Sequence, residues 1–237
     1  MSSVSSAAPG ASRSASAAPT VAAVVVTFNR KALLKQCLEA LLAQTQALEA
    51  IFIIDNASTD GTEAMLRGEG LLDRPELRYV RLPVNSGGAG GFCEGVKVAT
   101  AQGFDWIWLM DDDAFAAANA LEILASHLDD PSIVAVAPAV YTQGAIVEWH
   151  REMLSGCPGF FKLTVPVPSE RYREPAVEID IASFVGVLVR SSAVRQIGYP
   201  AADFFIHCDD REYSLRLRNQ GRILLVPASV MTHEEAA

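Results

Sequence analysis

Three consecutive carboxylates, Asp111, Asp112 and Asp113, directly follow the apolar run Trp106-Ile107-Trp108-Leu109-Met110. With that run as a buried strand, its end presents an acidic cluster at the mouth of a sheet. Alternation puts Asp111 and Asp113 on the same side. Two hard oxygen donors there suit Mg2+ or Mn2+, ions that keep open positions for a diphosphate. An acidic turn capping the next helix is the plainer alternative. A second acidic pair, Asp209 and Asp210, ends the run Phe204-Phe205-Ile206-His207-Cys208 at a predicted helix start. Asp209 and Glu212 have capping-box spacing, which makes Asp209 the expected N-cap and leaves Asp210 without a structural task. In the first turn the helix dipole favours an ionised carboxylate, the form a general base must have. His233 follows the strand-like stretch Ile223 to Met231. A lone histidine near a chain end is more often a surface residue, but a neutral imidazole is an acceptable third donor beside two carboxylates. Glu234 and Glu235 do not complete a zinc-protease motif.

These groups need a frame. Val21 to Phe28, Ile51 to Ile54, Leu77 to Leu82 and Trp106 to Met110 read as strands, and Leu33, Leu34, Cys37, Leu38, Leu41 and Leu42 fall on one helical stripe. Asp60-Gly61-Thr62-Glu63 fits a capping box opening a short helix, and Val96 to Ala101 lies in another. Strands separated by helices predict right-handed crossovers and a parallel sheet covered on both faces, an α/β layer whose ligands sit at the carboxyl ends of the strands. Beyond residue 140 the pattern is mixed, with strands predicted at Glu178 to Ala182 and Val185 to Arg190 and a helix from Asp209 to Gln220. Asn85 to Gly91 holds four glycines in seven residues before a helix, so its backbone N–H groups can approach a phosphate or sugar closely. It matches neither the dinucleotide fingerprint nor a Walker lysine motif, and a flexible structural loop is the alternative.

Composition narrows the partners. The 237 residues are 50% hydrophobic, enough for a sizeable core, and 28 Asp and Glu against 19 Lys and Arg give a net charge of −9. That charge repels phosphodiester backbones, which argues against a nucleic-acid partner. An anionic small molecule then needs local help from a metal ion, helix N-termini or placed cations. Cys37, Cys93, Cys157 and Cys208 form no C-x-x-C pair and fit free thiols in a reducing compartment. No run reaches the roughly eighteen apolar residues of a spanning helix. Residues 1–19, with seven Ser and six Ala, are expected to be a disordered tail preceding a single folded unit over 20–237.

Together the motifs resemble glycosyltransferase family 2, the inverting nucleotide-sugar transferases of the GT-A fold, across about residues 20–235. The resemblance is carried by Val-Val-Thr-Phe-Asn-Arg at 25–30, Ile-Asp-Asn-Ala-Ser-Thr-Asp-Gly-Thr at 54–62, the glycine stretch at 85–92, the Asp triplet, and Asp-Asp-Arg-Glu-Tyr at 209–213, in that order. The glycine stretch and triplet look most like the galactofuranosyl- and rhamnosyltransferase branch, enzymes of cell-wall or polysaccharide biosynthesis.

The resemblance implies a nucleotide-sugar-binding half at 20–115 and an acceptor and catalytic half at 116–237. Thr27, Phe28, Arg30, Asp55, Asn85, Gly87, Gly88 and Asp112 would bind the donor, with Asp55 on the base or ribose. Asp111, Asp113 and His233 would hold Mn2+ or Mg2+, and Asp210 would be the catalytic base. Phe160, Phe161 and Asp209 would face a glycan or lipid-linked saccharide acceptor, although an ordinary core pair is an equal alternative for the two phenylalanines. Relatives often carry Trp-Trp where Gly159-Phe160-Phe161 falls and Trp at Cys208, departures on the acceptor side. Many also continue beyond the histidine with helices that approach the membrane, which leaves two expectations open, a chain shortened at its C-terminus or a minimal enzyme with its acceptor supplied differently. The implied setting is cytoplasmic, at the inner face of the plasma membrane through peripheral association; no oligomeric state is implied. A catalytically inactive nucleotide-sugar-binding module is the competing reading, against which Asp210 argues. The missing dinucleotide fingerprint disfavours an oxidoreductase.

Overall fold

The computed structural model describes residues 18–155 and 164–234, so Phe160, Phe161, Cys157 and most of the Ser/Ala-rich stretch lie outside the described residues. Strand β1 (Val21–Thr27) is buried at every position, as a strand covered on both faces must be. It is followed by α1 (Lys31–Leu42), β2 (Ala50–Asp55), α2 (Thr62–Gly68), β3 (Leu77–Arg81), α3 (Gly87–Ala101) and β4 (Trp106–Asp111). The first four strands pair in parallel in the order β3-β2-β1-β4, as the alternating pattern predicts.

The second half is mixed. It comprises β5 (Ala114–Ala116), α4 (Ala120–Ala125), β6 (Ile133–Thr142), β7 (Ala145–Ile146), β8 (Arg151–Leu154), β9 (Thr164–Pro166), β10 (Val177–Ile179), β11 (Ile181–Ala182), β12 (Val187–Arg190), α5 (Ser191–Ile197), α6 (Asp209–Leu217) and β13 (Arg222–His233). Strand β12 runs antiparallel between β4 and β6, and β13 lies parallel to β6, so one sheet continues through both halves. Strands β11, β8 and β9 form a separate small sheet. The predicted single strand at Glu178 to Ala182 is broken at Asp180. Its backbone N–H donates to Glu152, its carboxylate accepts from the Leu154 N–H at 2.6 Å and pairs with Arg218 at 2.8 Å, and the flanking pieces join different sheets.

Alternation divides the core. Val21, Ala23 and Val25 face α1 and α4, packing with Leu34, Leu38 and Leu124; Ala22, Val24 and Val26 face α3 and α6, packing with Phe92, Val96 and Tyr213. Helix α3 lies very close to the sheet. A Cβ on Gly95 would come 2.3 Å from Val24 Cγ1, and one on Gly91 would come 2.5 Å from Val26 Cγ1. Most of the expected glycine loop is therefore the opening of helix α3, and of its glycines Gly91 serves the close packing on the sheet.

The two expected capping boxes do not form. Gly61 occupies the cap of α2, where Asp60 accepts from Thr62 while Glu63 pairs with Arg67. Cys208, with φ +71°, caps α6; Asp209 is its first helical residue, and Glu212 pairs with Arg216 four residues on.

Candidate active site

Strand β4 ends at Asp111, and the chain turns through Asp112 and Asp113 into β5, which pairs antiparallel with β13 so that Ala114 lies opposite His233. This turn, rather than continued strand alternation, brings the acids and the histidine together. Potential ligand atoms of Asp111, Asp113 and His233 all lie within 4.8 Å of one another. Nε2 of His233 is 3.1 Å from Oδ1 of Asp113. Neighbouring ligands of an octahedral ion with bonds of about 2.1 Å lie about 3 Å apart, so a divalent cation fits this donor set. Two hard oxygens and an imidazole suit Mn2+ or Mg2+.

The charges are densely arranged. Burial, then the negative charges of Asp113 and Asp112, push Asp111 up to about 7. Asp112 is pushed up to about 6, chiefly by burial, although it accepts from Thr27 Oγ1 at 2.6 Å. Burial also acts to raise Asp113, but His233 and Arg30 hold it below the ordinary carboxylate value. Arg30 Nη1 is 2.5 Å from Asp113 Oδ2. A cluster that crowds three carboxylates is one that a divalent charge would relieve.

Two adjoining cavities meet here. The first is lined by Thr27, Phe28, Arg30, Asn56, Asn85, Gly87, Gly88, Asp111 and Asp112, among others; the second runs past Arg30, Gly88, Asp111, Asp113 and His233 to Asp209 and Asp210. Thus the structure gathers seven of the eight expected donor residues at the first cavity. Asp55 does not line either one. Its fully buried carboxylate accepts from Tyr79 Oη, from Arg81 at 3.0 Å and from the Ser58 N–H at 2.8 Å, and it braces the ends of β2 and β3. Its neighbour Asn56 reaches the first cavity instead, with Nδ2 donating to Gly87 O at 3.0 Å.

Asp210 enters from the first turn of α6. Its Oδ1 accepts the Arg211 N–H at 2.7 Å, and burial, followed by the charge of Asp209, pushes it up to about 6. The shift acts against ionisation, yet a carboxyl at about 6 is still mostly ionised at neutral pH, the form a base requires. Asp209 is 6% exposed and lines the second cavity.

Sequence reasoning missed the loop before α6. The Ile206 N–H donates to Phe204 O at 2.9 Å across Phe205 (φ 64°, ψ −61°), a rare γ-turn of positive φ. Phe205 O in turn accepts the Ala89 N–H of α3 at 3.0 Å, and a Cβ on Gly87 would come 2.0 Å from that oxygen. Glycine at 87 thus lets this loop close against α3, placing Phe205 and Ile206 on the wall of the first cavity. Trp149 and His150 were missed too. Both line the second cavity, from a short 3-10 turn without hydrophobic periodicity. Burial and the charge of Arg151 hold the His150 imidazole far below its ordinary pKa, hence neutral.

Among the described residues, no helix is long and apolar enough to cross a membrane, and Cys37, Cys93 and Cys208 are free thiols.

Comparison with known proteins agrees with this geometry. The family model described as "Glycosyl transferase family 2" matches residues 22–198. Galactofuranosyltransferase GlfT1 of Mycobacterium tuberculosis (strain ATCC 25618 / H37Rv) is 34% identical over 219 residues, covering 85% of this chain; the chain spans 66% of that relative's length. The fold is similar to GalNAc-T7, solved with UDP, GalNAc and Mn2+ (TM-score 0.74, 16% identity, 92% of this chain and 44% of that one). It is also similar to the mannosyltransferase PcManGT of Pyrobaculum calidifontis, solved with GDP-Man and Mn2+ (TM-score 0.66, 18% identity, 92% and 57%). With its motifs, its sheet order and three-quarters of its length in agreement, the chain belongs to glycosyltransferase family 2 and has the GT-A fold.

Proposed function

We propose that this protein is an inverting, cation-dependent transferase that moves galactofuranose from UDP-galactofuranose to a glycan or lipid-linked saccharide acceptor. The observation that carries the reading is the single cavity lined by Asp113 and His233 together with Asp210. The family supports glycosyl transfer, and the GlfT1 relative supports the choice of sugar.

In this reading Thr27, Phe28, Asn85, Gly87 and Gly88 border the nucleotide, and Arg30 faces the diphosphate with its guanidinium. Asp111, Asp113 and His233 hold the cation. Bound there, Mn2+ or Mg2+ supplies the charge neutralisation that lets the nucleoside diphosphate depart. Asp210, reaching the cavity from α6, accepts the proton of the acceptor hydroxyl as that oxygen attacks the anomeric carbon. Attack opposite the departing phosphate inverts the centre in one displacement. The carboxylate of Asp209, one residue away, keeps Asp210 basic and borders the acceptor side.

The test is incubation of the full chain and Mn2+ with UDP-galactofuranose or dTDP-rhamnose and a panel of saccharide and lipid-linked acceptors, with products identified by mass spectrometry. A galactofuranosylated product is expected. Product from dTDP-rhamnose alone would overturn the sugar assignment. Tight UDP binding with no turnover of any donor would favour a nucleotide-sugar-binding module.

A further inference from the structure

His150 closes the 3-10 turn Glu148–His150 and is 1% exposed. Its Nδ1 lies 2.7 Å from Ser183 Oγ, whereas the buried Nε2 meets no hydrogen-bonding partner among the described residues. A buried polar nitrogen in that state calls for a ligand or water to complete it.

Ser183 decides which nitrogen carries the hydrogen. Arg151, wholly buried, has only donors, and its Nη1 lies 3.3 Å from Ser183 Oγ while Nε and Nη2 donate to Pro138 O and Val185 O. The serine oxygen accepts from Arg151, and among the described contacts His150 Nδ1 is the acceptor available for the serine's own proton. The neutral ring then bears its hydrogen on Nε2.

Neighbouring rings hold that nitrogen in place. Trp149 stacks on His150 with centroids 3.8 Å apart and planes inclined by 32°, and the His233 ring meets it edge-on at 5.2 Å. His150 and Trp149 line the same cavity as the cation-binding set, Arg30, Asp209 and Asp210. Between a diphosphate and a base lies the sugar. An uncharged single donor fits a neutral hydroxyl better than a phosphate, which is already matched by cations.

We propose that His150 reads the donor sugar, with Nε2–H donating to a hydroxyl of the transferred monosaccharide and Trp149 walling the same subsite. The assignment rests on the nucleotide-sugar reading above.

The test compares binding of UDP and UDP-galactofuranose to the full chain with Mn2+ by calorimetry, for the wild type, His150→Phe and His150→Gln. His150→Phe should leave UDP affinity within about twofold and reduce the gain from the sugar by about tenfold. His150→Gln, which retains an amide donor, should recover part of that gain. Deoxygenated donor analogues test the unaltered protein: removal of one sugar hydroxyl should cost about tenfold in the wild type and nothing further in His150→Phe. Equal losses of UDP and sugar nucleotide, a full sugar gain retained in His150→Phe, or no deoxy-sensitive position in the wild type would overturn the assignment. Failure of the wild type to bind UDP would overturn the nucleotide-sugar reading itself, and this assignment with it.

Discussion

Arg30 and Asp113 form a short ion pair, 2.5 Å from Nη1 to Oδ2, across the opening of the acidic cluster. The guanidinium occupies one oxygen of a carboxylate whose other oxygen faces His233. A cation held by Asp113 would thus compete with the arginine, while both would attract a diphosphate. Arg30→Ala should strengthen binding of Mn2+ alone, because a competing positive charge is removed. It should weaken UDP binding at saturating Mn2+ by about tenfold, the scale of one charge-assisted hydrogen bond. Titration followed by the electron paramagnetic resonance of free Mn2+, paired with UDP calorimetry, checks both signs; a loss of Mn2+ affinity would remove the competition.

Asp210→Asn keeps the shape of the side chain and abolishes its basicity. Transfer should fall by about 10²- to 10⁴-fold while Mn2+-dependent UDP affinity stays within a few-fold. Initial rates and calorimetry on the same preparation separate the two effects. Retained transfer would take the proton-accepting role from Asp210.

Asp210 is pushed up to about 6 by burial and by Asp209. A base works only when deprotonated, so with Asp210 in that role the transfer rate at saturating Mn2+, which holds Asp111 ionised, should rise with pH and level off above about 6, losing about tenfold per pH unit below it. Asp209→Asn removes one negative neighbour and should move that limb to lower pH, leaving the part due to burial. A limb that stays in place would exclude Asp209 as a cause.

Gly95 tests how closely α3 must approach the sheet. Gly95→Ala puts a methyl group 2.3 Å from Cγ1 of the fully buried Val24, so overpacking of about 1–3 kcal/mol should outweigh the gain in helix propensity of about 1 kcal/mol. Gly68→Ala, with nothing within 4 Å of the new Cβ, should be neutral or slightly stabilising. Urea unfolding of both variants measures the contrast.

Much of the site is legible in the sequence because strand ends carry it. The buried run Trp106 to Met110 reads plainly as a strand, and the acids just past it must lie at the sheet's edge, whereas His233 follows a strand interrupted by the half-buried Pro227 and exposed Ala228 and joins them only through the family resemblance. What escaped depended on tertiary approach. The glycines after Asn85 look like a loop until Gly91 is seen to leave room for Val26, as Gly95 does for Val24 farther along the same helix. Asp55 ends a strand like Asp111, and its pairing with Tyr79 and Arg81 on the adjacent strand is a contact that no local pattern announces. His150 and Ser183 sit in short irregular segments whose meeting no periodicity announces.

Diffraction from crystals grown with Mn2+ and UDP, recorded at the manganese absorption edge, locates the cation against the proposed base. One anomalous peak is expected within bonding distance of Asp111, Asp113 and His233, with the UDP diphosphate on it and the Asp210 carboxylate open to the space beyond the β-phosphate. A peak away from that triad, or an Asp210 turned out of that space, would contradict the proposed site.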